Sequence, residues 1–84
     1  MKRKHKALLN AIFTNPVSAT LAWADIEALL ISLGCRVMEG SGSRVKFILG
    51  QQVLAVHRPH PSKEAKPYQV RAVREFLKQN GATP

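Results

Sequence analysis

Two histidines, His57 and His60, are the side chains of this chain best suited to proton transfer at neutral pH. Both lie in the segment 57–61, with the sequence HRPHP, whose prolines stiffen an extended connection. Imidazole gains and loses a proton near neutrality, so it serves as a general base or acid. In an extended strand, residues three apart point to opposite sides, so the spacing alone does not unite the two imidazoles. We predict acid–base catalysis by His57 or His60; the alternative is that they make ordinary loop hydrogen bonds or face water.

The chain carries 13 Lys and Arg residues against 5 Asp and Glu, a formal net charge of +8. Such an excess repels itself in a compact domain and suits a polyanionic partner: a nucleic acid, an anionic membrane surface or an acidic protein. No stretch approaches the roughly 18 consecutive apolar residues of a membrane helix. A basic run precedes an apolar stretch at the N-terminus, but Asn10 interrupts that stretch, and Asn15-Pro16 ends it without an A-x-A cleavage site. With a single cysteine, which can form no internal disulfide, we expect a cytoplasmic protein without membrane contact.

Basic side chains form two candidate phosphate-binding sets. Arg44 and Lys46 alternate with the apolar Val45 and Phe47, so they share the polar face of a predicted strand. A guanidinium can bind phosphate oxygens bidentately, and we expect Arg58 to join this pair. The second set follows helical spacing near the C-terminus and consists of Arg71, Arg74 and Lys78. For both sets the alternative is a solvated surface.

Other kinds of site find little support in the sequence. There is no Walker loop and no Rossmann fingerprint. His57 and His60 together with Cys35 lack the fourth ligand of a zinc site, and the prolines restrict their geometry. We therefore predict no metal and no small-molecule cofactor. Cys35 follows an apolar helix and is expected in the core, since free cysteine is among the most buried residue types.

The spacing of apolar residues predicts the elements that position these side chains. Trp23 begins a stripe at three-to-four spacing, which indicates a helix that Gly34 ends and a core position for Trp23. A short helix that Pro16 ends precedes it, and the basic residues at the N-terminus are expected to be mobile. Strands are predicted at 36–39, 44–49 and 53–57, and a last helix at 68–80. The third strand is apolar enough to be central or covered on both faces.

These elements predict an α+β fold. Short turns at 40–43 and 50–52 favour a three-stranded antiparallel sheet, and both main helices need the same sheet face to bury their apolar stripes. The result is an α-β-β-β-α order with an N-terminal helical extension, which looks like the double-stranded-RNA-binding fold. A length of 84 residues allows a single domain over 1–84, divided into a basic extension at 1–22 and a core at 23–81.

Several short motifs, in their order along the chain, resemble the HicA toxins. They are a Leu-Gly helix end at 33–34, a Gly-Ser step at 42–43 or 40–41, His-Pro then Ser-Lys-Glu at 60–64, and LKQNG at 77–81. The resemblance implies a metal-independent mRNA interferase that a HicB antitoxin silences. In HicA proteins the catalytic histidine follows the Gly-Ser step within a residue or two. Here Ser43 or Arg44 occupies that place, depending on how the turn is registered.

Three hypotheses follow. The first is the toxin component of a type II toxin–antitoxin system, which binds and cleaves mRNA and is neutralised by a HicB-like antitoxin. In it, His57 or His60 is the acid–base group, and Arg44 and Lys46 hold the phosphate. The second is a non-catalytic RNA-binding or antitoxin-binding module on the same fold. The third is a basic interaction module that binds an acidic protein surface and has no role with RNA.

Overall fold

The computed structural model describes residues 1–84, and its architecture is the predicted α+β fold, similar to the double-stranded-RNA-binding domain. Three helices and three strands follow one another in the order ααβββα. Their bounds are α1 (Arg3–Ile12), α2 (Trp23–Ser32), β1 (Arg36–Glu39), β2 (Arg44–Leu49), β3 (Gln52–His57) and α3 (Pro67–Gln79). None of these helices is long and apolar enough to cross a membrane.

The three strands form an antiparallel sheet in the order β1-β2-β3, with β2 in the centre. The expectation that the third strand is central or covered on both faces is wrong. It is an edge strand, and Val53 and Ala55 are exposed on its outer face while Leu54 is buried on the inner one. The strand looks covered in the sequence only because its outward residues are small or apolar.

All three helices and the inner face of the sheet share one hydrophobic core. Phe47, at the centre of β2, is fully buried, and Trp23 meets its ring edge-on at a centroid distance of 6.3 Å. The predicted core positions of Trp23 and Cys35 are confirmed. The fifteen buried apolar residues are Leu9, Ile12, Trp23, Ile26, Leu29, Leu30, Cys35, Val45, Phe47, Leu54, Ala65, Val70, Val73, Phe76 and Leu77.

The N-terminal extension belongs to this core. The prediction of a mobile basic run is wrong, because α1 already begins at Arg3 and includes most of that run. Leu9 and Ile12 on its apolar side are buried, and α1 packs against both α2 and α3. An exposed ion pair of 3.5 Å joins Lys4 Nζ to Asp25 of α2. Burial of the apolar face outweighs the repulsion among the basic side chains, which project into solvent.

Arg74 of α3 fastens the end of α1 to the rest of the domain. Its Nε donates to the carbonyl oxygen of Ile12 at 2.9 Å, and its two terminal nitrogens donate to Thr14 O at 3.0 Å and Asn15 Oδ1 at 3.1 Å. The guanidinium also lies 5.9 Å from the ring centroid of Phe13, within the range of a cation–π contact. All of these contacts are internal, so Arg74 does not form an exposed stripe with Arg71 and Lys78.

We expect Arg74→Met to lower the free energy of unfolding by about 1.5–3 kcal/mol, the usual range for hydrogen bonds made by a charged group. Arg74→Lys should recover only part of the loss, since one ammonium cannot reproduce the planar fork. Urea unfolding followed by circular dichroism measures both. Arg71→Met, on the exposed side of the same helix, is the matched control and should stay within about 0.5 kcal/mol of the parent. Equal effects of the Arg74 and Arg71 variants would contradict the anchoring role.

Candidate nucleic-acid interface

The sheet face turned away from the helices is uncovered. Side chains alternate along each strand, and the pairing register places the outward residues of the three strands side by side. We call this surface the open face. Its exposed residues are Arg36, Met38, Arg44, Lys46, Val53, Ala55 and His57. The open face thus carries three cations and one imidazole, and no carboxylate lies among its outward residues.

A shallow groove crosses the open face at the end where β2 begins and β3 finishes. Its lining combines the turn after β1 with residues of all three strands, which include the carboxylate-bearing Glu39 as well as Met38, Arg44, Lys46, Ala55 and His57. The turn packs closely against β2, because a Cβ on Gly40 would lie 3.0 Å from the Arg44 Cβ and 3.3 Å from the Arg44 carbonyl oxygen. Only glycine fits there without displacing Arg44, so the turn fixes the point from which the Arg44 side chain leaves.

His57 lies within this groove, opposite Arg44. The two residues are cross-strand partners in the β2–β3 pairing, and such partners have Cβ atoms about 5 Å apart. The hydroxyl of Ser43 lies 3.2 Å from His57 Nδ1. When Nδ1 carries the proton and donates it to Ser43 Oγ, the other ring nitrogen has a free lone pair and can accept a proton. The arrangement combines a proton acceptor with cations suited to a phosphate.

His60 lies elsewhere. It is exposed in the connection after β3, in a separate groove formed by that connection and α2, whose lining also includes Trp23 and Glu27. The structure therefore does not bring His57 and His60 together. Of the two predicted histidines, only His57 shares a surface with Arg44 and Lys46.

Arg58 is also absent from the open face. Its guanidinium turns toward α2 and β1, where Nε donates to Glu27 Oε2 at 2.6 Å and Nη1 donates to Glu39 Oε1 at 2.6 Å. Nη2 donates to the second oxygen of each carboxylate, at 3.1 Å for Glu27 and 3.0 Å for Glu39. The indole N–H of Trp23 donates to Glu27 as well. The expectation that Arg58 joins Arg44 and Lys46 is wrong, because both carboxylates occupy its donors.

This ion-pair cluster shifts the protonation of its members. The hydrogen bonds that Arg58 donates to Glu39 and then to Glu27 raise the pKa of Arg58 above its usual value. The hydrogen bond from Arg58 in turn lowers the pKa of Glu39 below its ordinary value. Sequence reasoning missed the cluster because Glu27 and Glu39 lie 31 and 19 residues from Arg58. No local spacing signals such contacts.

The remaining predicted contacts lie on α3. Arg71 and Lys78 are exposed, and Lys78 Nζ lies 3.9 Å from Glu75 Oε2. Because α3 packs on the covered face of the sheet, these two residues are not part of the open face. No group of three or more His, Cys, Asp or Glu side chains is arranged to hold a metal ion. Burial raises the pKa of the Cys35 thiol, which makes it a poor nucleophile.

Comparison with known protein families gives one match. A family model described as HicA toxin of bacterial toxin-antitoxin matches residues 23–82, from the first residue of α2 to just beyond α3. The matched region excludes α1. No match was found among curated proteins or among solved structures.

The Glu39–Arg58 pair predicts a specific acid sensitivity. Because the folded-state pKa of Glu39 lies below its ordinary value of 4.5, its contribution to stability is complete above pH 4.5 and disappears as the pH falls through the lowered pKa. We expect Glu39→Gln to lower Tm at pH 7 and to reduce the further loss of Tm below pH 4.5. Glu64→Gln, which removes a carboxylate outside any ion pair, is the control. Parallel Tm–pH curves for the parent and Glu39→Gln would refute the prediction.

Proposed function

The chain belongs to the HicA toxin family of bacterial toxin–antitoxin systems, and from this premise we propose that it is an endoribonuclease that cleaves mRNA at the open face. The observation that carries the proposal is the position of His57, opposite Arg44 and hydrogen-bonded to Ser43. One of these two residues, depending on how the turn is registered, occupies the place of the catalytic histidine in the proteins this chain resembles. The neighbouring strand β3 thus supplies an imidazole beside both of these residues.

The proposed reaction requires no metal ion. His57 accepts the proton of a ribose 2′-hydroxyl, and the 2′-oxygen attacks the adjacent phosphorus. The bond from phosphorus to the 5′-oxygen breaks, which leaves a 2′,3′-cyclic phosphate and a 5′-hydroxyl. The imidazolium of His57 returns the proton to the leaving 5′-oxygen, so that the enzyme ends in its starting state. Arg44 and Lys46 stabilise the negative charge that develops on the phosphate oxygens.

The other basic residues have separate roles in this proposal. Ser43 holds the His57 ring through their hydrogen bond, and Arg36 adds a third cation to the open face, in addition to Arg44 and Lys46. Arg71 and Lys78 on α3 attract RNA at longer range, since they are exposed but lie on another side of the domain. Arg58 and Arg74 take no part in binding RNA because their donors are used internally.

Membership of the family implies an antitoxin partner, and we propose a HicB-like protein that is more acidic than this chain. A net charge of +8 favours association with such a partner as well as with RNA. With an mRNA substrate and an antitoxin partner, the proposed site of action is the cytoplasm.

A second candidate function is a non-catalytic module that binds RNA or the antitoxin. Two observations favour it: the open face holds a single imidazole, and an arginine or serine stands where the related toxins have their histidine. Under this alternative the same cations bind RNA, and cleavage does not occur.

Histidine substitutions separate the two functions. We expect the purified wild type to cleave a synthetic mRNA fragment in EDTA, and His57→Ala to lose at least about 100-fold in rate, as for the removal of an acid–base group. His60→Ala is the matched control and should retain the parental rate. Induced expression should mirror this result, with growth arrest and mRNA loss for the wild type and His60→Ala only. RNA binding by a wild type that leaves mRNA intact would favour the non-catalytic module.

Salt dependence tests the phosphate contacts. Each phosphate neutralised on a single strand contributes about −0.7 to the slope of log K against log salt. We expect Arg44→Gln and Lys46→Gln each to weaken RNA binding and to reduce the magnitude of the slope by about 0.7. Lys63→Gln, in the connection after β3 and away from the open face, should leave the slope nearly unchanged. A slope that none of the variants alters would show that binding does not use the open face.

A further inference from the structure

Gln69 is the only polar residue in the buried interior, with 2% of its surface exposed. It lies in the first turn of α3, and both ends of its carboxamide are hydrogen-bonded. Oε1 accepts the backbone N–H of Lys66 at 2.8 Å, and Nε2 donates to the backbone carbonyl of His57 at 2.7 Å. The first bond requires an acceptor and the second a donor, so the orientation of the amide is fixed. An unpaired amide in this position would be costly.

The second of these bonds acts on the end of β3. His57 is the last residue of that strand, and Arg44 is its last ladder partner. The peptide unit that follows His57 is held at both ends, because its carbonyl accepts from Gln69 while its N–H, that of Arg58, donates to Ser43 O at 2.8 Å. The His57 ring is held by Ser43 Oγ. Three hydrogen bonds therefore fix a residue that would otherwise fray at a strand end.

We propose that Gln69 is a positioning residue, which acts through the His57 backbone to hold the imidazole in the groove beside Arg44. This inference rests on the proposed function of His57. Gln69 does not contact the groove itself and is absent from its lining. It links the helical layer to the open face, since its backbone belongs to α3 and its bond partner to β3.

The chemistry of the amide gives the proposal a distinctive signature. Gln69→Met has a similar volume but leaves the His57 carbonyl without its donor. In Gln69→Glu, the ionised carboxylate can still accept from Lys66 N–H. Its other oxygen then faces the His57 carbonyl oxygen, and because both are acceptors no hydrogen bond forms between them. Once protonated, the same side chain donates again. A buried carboxyl that faces a carbonyl is protonated more readily than an exposed one, so lowering the pH should restore the bond in this variant alone.

The experiment uses the full-length chain and a short RNA oligonucleotide, at a temperature well below the Tm of every variant. We expect Gln69→Met to lower kcat by about 10- to 100-fold, the scale of a displaced catalytic group, with KM within about twofold of the parent. Gln69→Glu should be equally impaired at pH 8 and should approach the parental kcat at pH 5.5, measured against the parent at each pH. Gln79→Met, at an exposed glutamine of the same helix, should behave as the parent.

Long-range proton–nitrogen NMR of the His57 ring, recorded without RNA, tests positioning independently of activity. We expect Gln69→Met to change the Nδ1 signal that reports the Ser43 hydrogen bond and Gln79→Met to leave it unchanged. Unaltered ring signals and an unaltered kcat in Gln69→Met would overturn the proposal. Full cleavage by His57→Ala would instead overturn the catalytic role of His57 in the proposed function, while the ring signals of Gln69→Met would still decide whether Gln69 positions His57.

Discussion

The alternation of side chains along β2 is the constraint on which both faces of this protein depend. Val45 and Phe47 point inward and are buried, while Arg44 and Lys46 point outward and are exposed. A slip of one residue in the strand register would exchange the two sets and bury both cations. The free energy gained by packing Phe47 against Trp23 and its neighbours therefore also fixes where the cations lie. The position of the candidate interface is a consequence of the core.

The ion-pair cluster of Arg58 pairs Glu27 and Glu39 with a cation that is not part of the open face. Two carboxylates bind the one arginine that follows His57, and they hold it against α2 and β1. Glu27 is the more enclosed partner, with 17% of its side chain exposed, whereas 64% of the Glu39 side chain is exposed, so solvent screens the second pair more strongly. The effect of the cluster on the surface is equally important. With Glu39 engaged by Arg58, no free carboxylate competes with a phosphate for Arg44 and Lys46.

Much of this architecture is readable from the sequence because it depends on local periodicity. The stripe that begins at Trp23 predicted α2, and the alternation from Arg44 to Leu49 predicted β2 with its two faces. Errors arose where distant residues decide the outcome. Arg58 and Arg74 look like free surface cations, yet their acceptors lie 19 to 62 residues away. The edge position of β3 likewise depends on strand order, which composition does not reveal.

The candidate site shows the same limit. Sequence spacing left His57 and His60 equivalent, because nothing in HRPHP says which imidazole faces the sheet. The pairing of β2 with β3 distinguishes them by placing His57 opposite Arg44. Gln69 carried no signal at all, since a glutamine in the first turn of a helix is ordinarily an exposed cap. Its significance comes from the carbonyl that it meets, and that contact exists only once α3 has packed on the sheet.

The N-terminal helix shows how a small domain gains stability beyond its family core. Residues 23–82 match the family model, and a chain of about 60 residues buries only about 60% of the surface its unfolded form exposes. α1 adds Leu9 and Ile12 to the core, and Arg74 binds three oxygen acceptors at its C-terminal end. Arg74 lies on the same helix, α3, as Gln69, which donates a hydrogen bond to the backbone of His57. α3 thus joins the extension to the core through Arg74 near its middle and supports the candidate catalytic strand through Gln69 in its first turn.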